Sequence, residues 1–193
     1  FLLKQLISQL DESQITLISL DNYYKKLEDQ TRDEEGLVNF DHPDSLNLSL
    51  LVEHVQQLIK GETIEMEEYT FNNPKIKPRI LTLKPSRIII LEGLFVFYRP
   101  ELNQLIDLKV FVEAEEHVKL ARRLRRDHTE RGYTIDSILR DYERFVAPMY
   151  HRYVAPTRSV CDLVIPNNKH MYRAIQVMVN HLRTVQREGI QEG

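Results

Sequence analysis

Ile15-Thr16-Leu17-Ile18-Ser19-Leu20-Asp21-Asn22-Tyr23-Tyr24 is the stretch on which the fold turns. Ile15 to Leu20 is short, branched and apolar, so it predicts a buried strand rather than a helix. An acid follows at once. The same design recurs in Arg87-Ile88-Ile89-Ile90-Leu91-Glu92-Gly93, where an apolar run again ends in a carboxylate. Strands that are apolar throughout belong to parallel sheets covered by helices on both faces. Open α/β sheets bind ligands just beyond the carboxyl ends of their strands, the position that Asp21 and Glu92 occupy.

Working outward, Leu108 to Val112 and Leu163 to Ile165 read as further short strands, and helical patterns separate the strands. Ser45 or Asn47 can cap a helix running to Lys60, with Leu51, Val52, Val55, Leu58 and Ile59 on its inner face. Glu62 to Tyr69 and Arg79 to Lys84 read as the arms of a hairpin, turned at Asn72-Asn73-Pro74 and lying over the domain as a flap (about 62–84). Two long helices are expected at about 115–131 and 135–153, and a closing helix at about 171–187. The pattern predicts an α/β fold with one parallel sheet flanked by helices, in a single domain over 1–193. The chain opens with an amphipathic helix, whereas a helix on a parallel sheet normally follows a strand. A strand and a phosphate-cradling turn are therefore expected upstream of Phe1.

Composition narrows the classes. The formal net charge of -3 gives no overall basic field, so neither nucleic acid nor an anionic membrane is an expected partner. Cys161 is the single cysteine, which excludes an internal disulfide framework and favours a reducing, cytoplasmic setting. No apolar run approaches the roughly 20 residues that a spanning helix needs.

Four constellations can carry chemistry. Asp21, at a strand end, can accept a proton from a substrate hydroxyl as that oxygen attacks phosphorus, or it can simply cap a turn. Glu92 ends a Walker-B-like strand, where a carboxylate can hold Mg2+ directly or through water. Arg122-Arg123-Leu124-Arg125-Arg126-Asp127, followed by Glu130-Arg131-Gly132, concentrates guanidinium groups suited to phosphate oxygens. The plainer reading of that cluster is a solvated helix whose arginines pair with Asp127 and Glu130. In Asn39-Phe40-Asp41-His42-Pro43-Asp44, Pro43 forces His42 toward extended backbone and so fixes the loop presenting Asp41. Tyr142, Tyr150 and Tyr153 read as packing residues.

Taken in order, these motifs resemble the uridine kinase family of P-loop kinases, relatives of the phosphoribulokinases, from Phe1 to about Leu182. The pieces that carry the resemblance are Asp21-Asn22-Tyr23-Tyr24, Asn39 to Pro43, Leu91-Glu92-Gly93, Arg122 to Gly132, Phe145 to Pro148 and Tyr153 to Thr157. The resemblance implies a P-loop kinase-type sheet with a β-hairpin flap and an arginine-rich helical lid at about 122–133. It implies transfer of phosphate from ATP or GTP, with Mg2+, to the 5'-hydroxyl of uridine or cytidine. By position, it makes Asp21 the base and Glu92 the acid near Mg2+. Arg126 and Arg131 become lid arginines over the transferring phosphoryl group. Tyr24, Phe40, Tyr69 and Phe71 line the nucleoside pocket, and Asp41 with Arg123 holds the ribose hydroxyls. Small-molecule nucleoside and nucleotide are the implied partners, and a homo-oligomer is one available state.

Three departures qualify this expectation. No G-x-x-x-x-G-K-[ST] loop occurs in the 193 residues. Pro74 stands where the family commonly has a histidine that contacts the pyrimidine edge, and Tyr133 replaces an arginine often found after the lid's Arg-Gly. A related P-loop kinase acting on another hydroxylated metabolite, and a nucleotide-binding relative without turnover, remain open alternatives.

Overall fold

The computed structural model describes residues 2–32, 34–73 and 75–188. Pro74 and the residues from Gly189 on lie outside the described residues. Helix α1 (Leu2–Ile7) is shorter than its apolar pattern suggests. Strand β1 (Ile15–Ser19) follows, and a 3-10 turn over Leu20–Tyr23 carries Asp21. Asn47 caps α2 (Leu48–Ile59), its side chain accepting from the Leu50 N–H at 3.1 Å. Leu51, Val55 and Leu58 of α2 are buried, whereas Ile59 is exposed, a correction to its expected inner-face position. Ile59, the last residue before the Lys60 C-cap, lines a large open cavity together with Val55 and Leu58, and this is where its exposure arises.

β2 (Ile64–Glu67) and β3 (Ile80–Leu83) form the expected antiparallel hairpin. β4 (Ile88–Glu92) pairs with β1 in parallel, register running from Ile15↔Ile88 to Ser19↔Glu92. A short helix α3 (Pro100–Asn103), unannounced by the sequence pattern, precedes β5 (Val110–Glu113). β5 pairs in parallel with β6 (Leu163–Pro166), from Val110↔Leu163 to Glu113↔Pro166. Thus the parallel strands form two pairs rather than one continuous sheet. Leu17, Val112 and Leu163 are partly exposed, so burial on both faces is incomplete. Between the pairs lies a cavity of about 1520 Å³, lined by Ile88–Leu91 of β4 and Val110–Val112 of β5 but by no residue of β1 or β6. It therefore runs along the strand edges that face away from the existing partners.

Of the two expected long helices, α4 (Glu116–Thr129) is continuous. The second is broken into α5 (Ile135–Asp141), a wide π turn over Tyr142–Val146, the short α6 (Ala147–Met149) and a second π turn over Tyr150–Val154. The Ala147 N–H donates to Tyr142 O and the Ala155 N–H to Tyr150 O, each five residues back. For the first of these turns Pro148 supplies the reason: it has no N–H for an α-type bond to residue 144, and its ring crowds that carbonyl. The three tyrosines of this stretch pack as expected. Tyr142 donates to Glu116 at 3.0 Å, Tyr150 lies under the Lys119 ammonium, and Tyr153 bonds His42 at 2.9 Å.

Helix α7 (Tyr172–Glu188) closes the chain. Ile18, Leu20, Leu51, Val55, Phe95 and Phe111 centre the larger core, and Leu6, Ile165, Ile175 and Val179 the smaller. Among the described residues, no helix is long and apolar enough to cross a membrane.

Candidate active site

The parallel register of β1 and β4 decides where the two acids go. Ser19 lies opposite Glu92, and Asp21 sits one turn beyond Ser19, so both carboxylates emerge at the same edge of the strand pair. Gly93 follows Glu92 with φ +145°, and an added Cβ there would lie 2.5 Å from Leu20 Cβ. Only glycine lets the two strand ends approach this closely.

Loss of hydration in the crowded turn pushes the Asp21 carboxyl above its ordinary range. The Glu92 charge adds to that shift, and the Arg131 charge opposes it. A carboxyl whose ionisation is disfavoured by burial and by the Glu92 charge, beside a guanidinium, suits a proton acceptor next to phosphate oxygens. Among the described residues no three His, Cys, Asp or Glu side chains gather as a metal site. A single carboxylate such as Glu92 suits Mg2+, which is usually bound by one or two carboxylates together with phosphate oxygens and water.

The aromatic residues singled out in the sequence meet beside Asp21. Tyr24 lies 5.3 Å from Tyr69, 6.1 Å from Phe40 and 6.5 Å from Phe71 between ring centroids. Tyr69 and Phe71 are 5.2 Å apart, and Phe71 is 63 % exposed. A large aromatic ring left that open offers a face to a planar ligand. The Tyr24 hydroxyl donates to Phe40 O at 3.2 Å, and burial together with the Asp21, Asp41 and Tyr69 charges pushes its pKa up to about 12. Asn22, which the sequence reading passed over, accepts from the Tyr69 N–H at 3.2 Å and so fastens the hairpin to the Asp21 turn. The hairpin tip carries Phe71 and Asn72 at positive φ (53° and 56°), and Asn72 Nδ2 donates to the Tyr69 hydroxyl at 2.9 Å.

The loop before α2 presents Asp41. His42 is extended (φ -90°, ψ 140°), as the following proline requires. Ser45 does not cap α2; its hydroxyl instead donates to Phe40 O and His42 O, which holds the loop closed. Burial raises the Asp41 carboxyl, while the charges of Arg123 and Arg126 pull it down. Asp41 and Arg123 are therefore electrostatic neighbours, although the Arg123 Nε ion pair runs to Asp127, at 3.4 Å. Arg126 and Arg131 also reach Asp127, at 2.7 and 3.1 Å. Pairing with Asp127 is what the plainer reading of the arginine cluster foresaw, but here three arginines share one buried carboxylate. Asp41, Glu92, Arg122, Arg123 and Arg126 all line the large cavity, whose floor is the apolar trough between β4 and β5.

The family model described as the phosphoribulokinase / uridine kinase family matches residues 2–172. A uridine kinase of Clostridium botulinum (strain Kyoto / Type A2) is 34% identical over 185 residues, 96% of this chain and 90% of that protein. A uridine kinase of Borreliella burgdorferi (strain ZS7) is 35% identical over 186 residues, 95% of this chain and 90% of its own length. Among solved structures, a "possible uridine kinase" from Bacillus stearothermophilus superposes with a TM-score of 0.59 at 14% identity, over 83% of this chain and 78% of that one. The phosphoribulokinase from Rhodobacter spheroides gives 0.64 at 17% identity, over 86% and 64%. These structures share the fold.

Proposed function

Because the chain belongs to the phosphoribulokinase / uridine kinase family, we propose that it transfers a phosphoryl group from ATP or GTP to the 5'-hydroxyl of uridine or cytidine. The observation that carries this reading is the setting of Asp21. It stands at a strand end beside Glu92, within reach of the Arg131 charge, and close enough for its own charge to act on Tyr24, which packs with Phe40, Tyr69 and Phe71.

In this reading the aromatic cluster receives the nucleoside base. Asp41 and Arg123 hold the ribose hydroxyls, which orients the 5'-oxygen toward Asp21. A base whose pKa is raised binds a proton more readily, so Asp21 accepts the hydroxyl proton as the oxygen attacks phosphorus. Glu92 would hold Mg2+, which supplies charge neutralisation at the phosphate oxygens when bound. Arg126 and Arg131 close over the transferring group, a contribution of about 10³–10⁵ in rate where such arginines are correctly placed. The setting is an intracellular, cytoplasmic salvage of pyrimidine nucleosides.

The test is steady-state phosphotransfer across nucleosides and sugar phosphates with ATP and GTP as donors. Uridine or cytidine should have the highest kcat/KM. Preference for a sugar phosphate would move the assignment to another hydroxylated metabolite, and absence of transfer to every acceptor would leave a nucleotide-binding relative without turnover.

A further inference from the structure

Asp127 has no role in the chemistry above, yet it is the most buried acid of the described residues, 3 % exposed amid a lid that is otherwise open to solvent. Its Oδ1 accepts from Arg126 Nε at 2.7 Å and pairs with Arg131 Nη1 at 3.1 Å. Its Oδ2 accepts from Arg126 Nη2 at 3.3 Å and lies 3.4 Å from Arg123 Nε, a buried nitrogen with no hydrogen-bond partner of its own. Three guanidinium groups thus converge on one carboxylate.

Helix stability does not account for it. Asp127 stands in the last turn of α4, where the helix dipole disfavours an acid. Residues adjacent in a helix do not ordinarily face each other, so the two-point contact with Arg126 requires that side chain to fold back on its neighbour. Asp127 also reaches past the helix end. Its carbonyl accepts from the Tyr133 N–H at 3.1 Å, closing the turn in which Gly132 adopts φ +74° and Arg131 is carried back toward the helix. Burial opposes ionisation of Asp127, but the Arg126 hydrogen bond and the three arginine charges outweigh it and hold the carboxyl below its ordinary range.

We propose that Asp127 is a positioning residue that gathers Arg123, Arg126 and Arg131 and sets their spacing toward the phosphates and the ribose. This inference rests on the kinase reading above. An arginine fork has more donors than one carboxylate edge can take, so Arg126 and Arg131 keep free N–H groups for a ligand while Asp127 holds their other edge. Without that carboxylate the three cations would repel one another and spread into solvent.

The experiment is a double-mutant cycle on the full chain. Asp127→Asn is measured alone and in an Arg126→Ala/Arg131→Ala background, with two readouts: donor kcat/KM and the affinity for inorganic tripolyphosphate. Because Asp127 acts through the arginines, Asp127→Asn should cost about 10- to 100-fold in the parent and less than about threefold once they are gone. Asp127→Glu keeps the charge and should recover part of the loss; it also carries the cycle if the Asn variant does not fold. Equal costs in both backgrounds would overturn the proposal, as would failure of the parent to bind tripolyphosphate. A parent that binds tripolyphosphate but transfers no phosphate would sink the kinase reading instead, and the cycle would still be read on affinity.

Discussion

Replacing Gly93 by alanine should damage both stability and turnover, and the structure lets the size be worked out. At φ +145° a side chain is strained before any contact is counted, a cost of about 1–3 kcal/mol. The new Cβ would meet Leu20 Cβ at 2.5 Å, with Leu20 Cγ and Cδ2 at 3.0 Å. A Cβ is fixed to the backbone, so rotamer change cannot relieve the first contact. Strand β4 and the Asp21 turn must separate by about 1 Å, and overpacking of this kind costs about 1–3 kcal/mol more. The sum, about 2–6 kcal/mol, should lower Tm by roughly 4–24 °C in a chain of this length. The displacement also moves Asp21 away from Glu92, so kcat should fall about 10- to 100-fold at temperatures where the variant is folded. Circular-dichroism melts and coupled phosphotransfer assays give the two numbers. Leu20→Ala should not rescue the variant, because it leaves the Cβ in place. A Gly93→Ala protein that melts within about 1 °C of the parent and turns over normally would refute the close approach of these strand ends.

Other expectations follow the same geometry. Asp21→Asn should lower kcat by roughly 10²–10⁴ with the fold intact; a fully active variant would remove Asp21 from the chemistry. Since the folded-state pKa of Asp21 is raised above its ordinary 3.8, the folded protein holds that proton more tightly, and the carboxylate lowers stability as pH rises through the folded pKa. Asp21→Asn should therefore melt slightly above the parent at pH 7, and the acidic limb of the parent's pH–rate profile should lie above 3.8. Asp127 has the opposite sign: its folded pKa is depressed, so its stabilisation is present above 3.8 and is lost as pH falls through the lower folded value. Asp127→Asn should accordingly lose its stability deficit at strongly acidic pH, which melts over a pH series would show. Asn22→Ala removes the acceptor that fastens Tyr69, and should raise the nucleoside KM several-fold more than it lowers kcat, about 1 kcal/mol of lost hydrogen bonding.

Much of this was legible in the sequence where short-range chemistry decides structure. The strand ends at Asp21 and Glu92 announced themselves by an apolar run stopping at an acid. The Asn47 cap, the extended His42 before Pro43 and the hairpin of β2 and β3 follow from rules that span a few residues. The broken second helix was hidden because its apolar spacing resembles that of a regular helix, and the shift from four- to five-residue hydrogen bonding leaves little periodic mark. Phe71 and Asn72 adopt positive φ without a glycine to signal it. Asp127 read as an ordinary ion-pair partner because sequence spacing shows its neighbours on the helix but not Arg131 turning back to join them. Of the candidate site residues, Asp21 and Glu92 lie at neighbouring strand ends, and Tyr24 lies within ring-contact distance of Phe40, Tyr69 and Phe71. Arg123 is shared between Asp41 and a carboxylate whose importance needed three dimensions.

The two π turns bear on how this chain tolerates changes in length. In a regular α-helix Tyr142 and Tyr153, eleven positions apart, would lie within about 20° of each other around the axis. Here they serve different neighbours, Tyr142 reaching Glu116 on α4 and Tyr153 reaching His42 beside Asp41. Each wide turn takes up one residue that an α-helix would spend on rotation. Deleting one residue inside a wide turn would let that turn tighten to α geometry and leave the residues after it in place, whereas deleting one from the regular helix α5 would swing the two sides of the cut by about 100° relative to each other. In the second case Tyr142 and Tyr153 could not both keep their partners, and the loop that presents Asp41 would lose its brace. A deletion scan should therefore be tolerated best at the two wide turns and strike hardest in α5.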